Sequence, residues 1–308
     1  MMYLGSFVQT FFRPAGQGTI IGNPRLPLEL EREIFELAAL ANRRDIPALL
    51  RVAHHVCDWI EPLLYTSIEI NKPSAVVLHN LQHTRPPPCI AAVRQIIVYE
   101  PDAILDLASF LSCCVRVTHV AITPVGSGYG QGLPLLLQKL PRLQRLVLSF
   151  THAFPDESEA YPHLPHVTHL ELLDELAPTQ TTRLAAFVGG FPALTHLALN
   201  HHSPAAEDAL LTALLNRRTC PQLRVLCCIS PGETEVRALA MLLELKYPSP
   251  PSTSPLRDRR LVLVDYGWWF EGAMLPAAGR KTYWDKADVF VERKARGDVE
   301  PLALSVFS

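Results

Sequence analysis

At 308 residues the chain is long enough for two ordinary domains or one elongated repeat array, and 48% hydrophobic residues suffice for a large core. Its 28 basic and 30 acidic residues leave a net charge of −2, which gives no general attraction to nucleic acid or to an anionic membrane, although a local patch is compatible with it. The seven cysteines are irregularly spaced, with adjacent pairs at Cys113-Cys114 and Cys227-Cys228 and no C-x-x-C. That pattern argues against a disulfide framework and predicts reduced, buried thiols in an intracellular protein, cytoplasmic or nuclear.

Residues 1–23 read as an N-terminal extension. They are mildly apolar but lack a basic leader region, and Arg13-Pro14 interrupts them after Phe11-Phe12, which argues against a signal peptide. No later stretch approaches the roughly 18 apolar residues of a membrane helix, so no membrane partner is expected.

Residues 24–64 predict three short helices. Leu30, Ile34 and Leu37 lie at i, i+4 and i+7 on one face of a helix opened by Pro27. Asp45-Ile46-Pro47 starts a second helix with Leu49, Leu50 and Val52, and a third carries Val56, Trp59, Ile60, Leu63 and Leu64. About 40 residues cannot build a stable core alone and must dock on something.

This segment resembles the F-box, whose usual pattern is L-P-x-E-L-x-x-x-I-F, then a leucine-rich stretch and V-x-x-x-W. Leu26 to Phe35 match position by position and Val52 matches the valine, but Val56 stands where the tryptophan belongs and Trp59 follows three residues later. The resemblance implies docking to a Skp-type linker of a cullin ubiquitin ligase through Leu26, Pro27, Leu30, Ile34, Phe35, Leu49 and Val52. The alternative is that these helices only cap the structure that follows.

Residues 65–265 carry a recurring apolar frame, φ-x-x-φ-x-φ. It appears at Val93/Ile96/Val98, Val117/Val120/Ile122, Leu143/Leu146/Leu148, Val167/Leu170/Leu172, Leu194/Leu197/Leu199 and Leu223/Leu226/Cys228, with weaker copies at Tyr65/Ile68/Ile70 and Leu261/Leu263. Spacings between first positions are 24, 26, 24, 27 and 29 residues. Pro141, Pro165, Pro192 and Pro221 each sit two residues before a frame, where proline pushes its neighbour towards extended geometry. Helical spacing lies between frames at Ile104/Leu107/Ala108/Leu111, Leu133/Leu136/Leu137/Leu140 and Leu210/Leu211/Leu214/Leu215. Ser203-Pro204 is expected to open the last of these helices, and Gly189-Gly190 to end the one containing Leu184, Phe187 and Val188.

Strand, loop and helix at this period resemble the leucine-rich repeats. The resemblance implies an α/β solenoid with a parallel sheet inside and helices outside. The family's asparagine or cysteine after each frame is missing; Pro101, Val125, Thr151, Glu175, His202 and Pro231 stand there, so the coils are degenerate. An ordinary doubly wound α/β domain explains the alternation but not the phased prolines.

Residues 266–308 are expected to form a cap, with aromatic residues at Trp268, Trp269, Phe270, Tyr283 and Trp284 and a helix carrying Trp284, Ala287, Val291 and Ala295. No catalytic, cofactor or metal motif is complete. His163, His166 and His169 straddle the start of a strand and would point differently, and Gly126 to Gly132 fits neither nucleotide-binding glycine pattern.

The frame residues face the core, so the residues between them face the other side. That places Gln95, His119, Arg145, His169, His196 and Val225 in one column and Ile97, Ala121, Val147, Glu171, Ala198 and Cys227 beside it. His119, Arg145, Val147, His169, Glu171 and His196 are therefore the expected protein-binding face, suited to a partner of acidic character. Together the two resemblances imply a fungal-type F-box-like protein with degenerate leucine-rich repeats. They point to a substrate-recognition adaptor for a protein whose identity the sequence does not give, or to a scaffold outside any ligase.

Overall fold

The computed structural model describes residues 26–71, 87–99, 107–123, 133–155, 161–200, 203–205, 208–266, 271–273, 281–300 and 302–307. The expected extension at 1–23, the glycine-rich stretch at 126–132 and Trp268, Trp269 and Phe270 lie outside them. Two compact units emerge, one from residues 1–65 with 73–92, the other from 66–72 with 93–308.

In the first unit α1 (Leu28–Ala41) begins directly after Pro27, with Glu29 and Glu31 in its first turn, where carboxylates suit the helix dipole. A 3-10 turn (Arg43–Asp45) leads to α2 (Ile46–Leu49) and then α3 (His54–Leu64). Ala39, Ile46, Val56 and Ile60 are fully buried together, with Phe35, Leu49, Leu50, Trp59 and Leu63 packed around them. The short α4 (Pro87–Ala91) adds to α3.

The second unit is α/β, built on one sheet of eight parallel strands in strict chain order. These are β1 (Ser67–Ile70), β2 (Gln95–Val98), β3 (His119–Ile122), β4 (Arg145–Leu148), β5 (His169–Leu172), β6 (His196–Asn200), β7 (Val225–Ser230) and β8 (Leu261–Asp265). Helices α5 (Leu107–Cys113), α6 (Leu133–Gln138), α7 (Phe150–Ala153), α8 (Thr181–Val188), α9 (Ala209–Leu215) and α10 (Glu233–Lys246) stand between successive strands from β2 to β8. Every residue of the six main frames is at most 5% exposed, so the apolar frame is what fixes the register.

Two local expectations shift. The helix expected from Ser203-Pro204 starts instead at Ala209, because Asp208 accepts a hydrogen bond from the Leu211 amide and is the better cap. Gly189 does end α8, and Gly190 follows where an added Cβ would meet the Pro162 carbonyl at 2.6 Å.

Side-chain bonds join neighbouring strands at the turns that lead into them. Thr118 Oγ1 donates to the Arg94 carbonyl, Thr168 to Gln144 and Thr195 to Thr168, each reaching back to the preceding strand's approach. After β5, the Asp174 carboxylate accepts from the Ser149 and Thr151 hydroxyls and from the Phe150 and Thr151 amides, capping α7. Replacing Asp174 by Ala strands those buried donors and is expected to cost about 1–3 kcal/mol of stability. A denaturant midpoint unchanged from wild type would show that the cap contributes nothing. Among the described residues no helix is long and apolar enough to cross a membrane.

Candidate interaction surfaces

The column read from the sequence exists. Gln95 pairs with His119, His119 with Arg145, Arg145 with His169, His169 with His196 and His196 with Val225. The neighbouring column of Ile97, Ala121, Val147, Glu171, Ala198 and Cys227 is in register as well.

Accessibility is where the expectation fails. His119, Val147, Glu171 and His196 are buried, and Arg145 and His169 are only half-exposed. The cause is the C-terminal segment, expected to close the end of the array. Its helix α11 (Tyr283–Arg296) lies instead on the face carrying these residues. Ala198, Val225, Cys227, Ile229, Val262 and Val264 form one cluster with Tyr283, Trp284, Ala287 and Phe290. The buried side of α11 therefore runs through Tyr283, Ala287, Phe290 and Lys294, while the expected Val291 is half-buried and Ala295 exposed. A 3-10 turn (Glu271–Ala273) packs on β3 and β4.

The helix is locked by polar contacts that match the column. Tyr283 Oη donates to Glu171 Oε2 at 2.6 Å and Asn200 Nδ2 donates to Glu171 Oε1 at 2.9 Å. Trp284 stands edge-on to the stacked rings of His169 and His196, 4.1 Å apart, and its Nε1 donates to the Gly272 carbonyl. His196 Nε2 contacts Asp288 at 3.1 Å, Lys286 pairs with Asp265, and Lys294 donates to the Leu261 carbonyl. Gly272 fits because an added Cβ would collide with the Tyr283 hydroxyl and the Glu171 carboxylate. A capping box of Thr282 and Asp285 opens α11, and Gly297 at φ 82° closes it.

Burial sets the titration of the column. The Thr118 hydroxyl already donates to Arg94, so His119 Nδ1–H donates to it in turn, and Nε2 has no partner among the described residues. Burial first, then Arg145, pushes His119 down to about 4. His169 falls to about 2 through burial, then His196 and Arg145. Neither ring is a cation at neutral pH. Burial raises Glu171 above the usual carboxylate range, against the hydrogen bonds from Tyr283 and Asn200.

Of the residues expected to grip a linker, Leu26, Pro27, Leu30, Ile34 and Val52 are exposed. Leu26, just before α1, and Leu30, Ile34 and Leu37 within it are 46%, 48%, 53% and 59% exposed. Phe35 and Leu49 depart from the expectation; they turn into the Ala39–Ile60 cluster, because α1 needs an inward side against α3.

Ser149, His152 and Asp174 also meet, with His152 Nδ1 2.7 Å from Ser149 Oγ. The carboxylate binds the serine rather than orienting the histidine, and Ser149 is 1% exposed, so no substrate reaches it. His163 and His166 are exposed and apart from this group, and among the described residues no set of three His, Cys, Asp or Glu side chains is placed to hold a metal.

The covering residues Tyr283, Trp284 and Asp288 escaped the sequence reading as partners of the column. Their helical phase was legible, but their target lies 92 residues away for Asp288 and 112 for Tyr283. No protein-family model and no curated protein sequence matches the chain.

Proposed function

We propose that the chain is a protein-binding adaptor, the substrate-recognition subunit of a cullin-type ubiquitin ligase. In this reading α1 to α3 are an F-box-like segment that docks a Skp-type linker, and the sheet unit is a degenerate leucine-rich-repeat solenoid that holds the substrate. The observation that carries it is the exposed row Leu26, Leu30 and Ile34, on the very stretch whose sequence matches the F-box pattern, with Leu37 continuing the row just beyond it. A helix that served only as a cover would turn such a row inward, because burying one such side chain is worth roughly 1.5–3 kcal/mol. The strict chain order of the strands and the 24–29-residue frame support the solenoid.

Substrate binding moves away from the column of His119, His169 and His196, since α11 occupies that face over β5 to β8. The test is a binding titration of the full chain with a Skp-type linker. Changing Leu30 and Ile34 together to Ala is expected to weaken the complex at least tenfold and to leave the melting temperature within about 2 °C, because both side chains are exposed. A well-folded chain that binds no such linker defeats the ligase reading.

A further inference from the structure

Because the strands are parallel and in register, residues at one phase of the repeat gather at one edge of the sheet. The two edges differ sharply in charge. Where the strands begin, Arg116, Lys139 and Arg142 stand in the turns leading into β3 and β4, and Arg217, Arg218 and Arg224 in the turn leading into β7. All six are exposed, and none forms an ion pair among the described residues. The described turns into β2 to β8 hold a single acidic residue, Asp258, and Arg260 already pairs with it at 2.7 Å. Crowding is evident at Arg94, whose guanidinium is held below its usual range by burial and then by Arg116 and Arg142. At the opposite edge stand Asp174, Glu175, Asp208 and Asp265.

We propose that the edge where the strands begin is a docking surface for an extended, aspartate- and glutamate-rich segment of a partner protein. This deepens the adaptor reading by giving the substrate a chemistry, and it rests on that reading for the partner being a protein. At about 4.8 Å per strand, the cations of β4 and β7 are roughly 14 Å apart, which about four or five residues of extended chain span. Between them the turns into β5 and β6 offer only His163 and His166 as basic groups. On the neighbouring face, Asp288 contacts His196 and feels Arg224, while Asp285 is committed to its own helix cap.

Carboxylates of a peptide are favoured over nucleic acid on two counts. Single strands bind by stacking on aromatic rings, and the aromatic side chains of the turns into β2 to β7, Tyr161 and Phe191, are engaged with Phe187. A long polyanion would also meet the acidic edge and the net charge of −2. A short peptide senses mainly what lies within a screening length of about 8 Å.

Fluorescence anisotropy of the full chain with a labelled peptide of about 12 residues alternating Glu and Gly tests this directly, beside its Gln-for-Glu counterpart. The acidic peptide should bind in low salt, weaken as salt rises, and outcompete the neutral one. R116Q/R142Q/R217Q/R218Q should lose about tenfold in affinity, summing four exposed charge contacts. R237Q/K281Q, two exposed cations of the sheet unit outside the turns leading into the strands, should stay within about twofold. Absence of binding, or equal losses in both variants, overturns the proposal. So does tighter binding of a 12-nucleotide strand or of phosphatidylserine vesicles, which would assign the edge to nucleic acid or membrane. Peptide binding without linker binding keeps this surface and removes the ligase; the reverse keeps the ligase and removes the acidic substrate.

Discussion

Replacing Trp284 by alanine is expected to destabilise the sheet unit by about 3–5 kcal/mol, the largest effect of any single change considered for this chain. The indole is 2% exposed, fills the space between the His169–His196 stack and the Val262–Val264 cluster, and donates to the Gly272 carbonyl. Removing it leaves a cavity and an unpaired buried carbonyl together. The loss should appear as a lower denaturant midpoint and as faster chemical modification of His169 and His196. If W284A unfolds outright, Trp284→Phe should retain most of the packing and lose only the hydrogen bond, about 1 kcal/mol. A W284A protein as stable as wild type would mean that α11 is not a fixed part of the sheet's covering.

Lowering the pH from about 8 to 5 is expected to remove about 2 kcal/mol for each of His119 and His169. Both are held neutral in the folded chain, mainly by burial, and titrate there near 4 and 2. In the unfolded chain each takes up a proton near pH 6.5. Their contribution to stability is therefore fully present above that value. It declines as the pH falls through 6.5 towards the folded values, because only the unfolded state gains the proton. Glu171 opposes this, since a raised carboxyl favours the folded state at low pH. The informative quantity is thus the difference between wild type and H119Q/H169Q in urea midpoints across the range. The wild type should lose stability more steeply; parallel curves would show that the folded chain does not hold the two imidazoles neutral.

The repeat frame was legible because burial on one side of a strand imposes a period of two, and the phased prolines marked where each strand begins. That was enough to put His119, Arg145, His169 and His196 in one column. Their environment was not legible. A Thr-His pair reads as solvent-facing, yet here each threonine hydroxyl bonds back to the preceding strand, and His169 and His196 lie against Trp284 of α11. The covering helix could be recognised as a helix, but nothing in its periodicity names the strands it lies on.

Phe35 shows the same limit at short range. The motif match placed it with Leu30 and Ile34, whereas the helix needs one bulky residue against α3 and Phe35 fills that place. Similarly, Arg116 and Arg142 recur just before the first frame position, a signal present in the sequence that becomes a surface only once the strands align.

The adaptor reading stands or falls on where a Skp-type linker touches the chain. Amide hydrogen exchange of the full protein, recorded with and without the linker, reports this segment by segment. The account predicts slowed exchange confined to Leu28–Ala41 and the residues beside it, with strands β5 to β8 unchanged. Protection that falls on the sheet unit instead, or no protection at saturating linker, would contradict it.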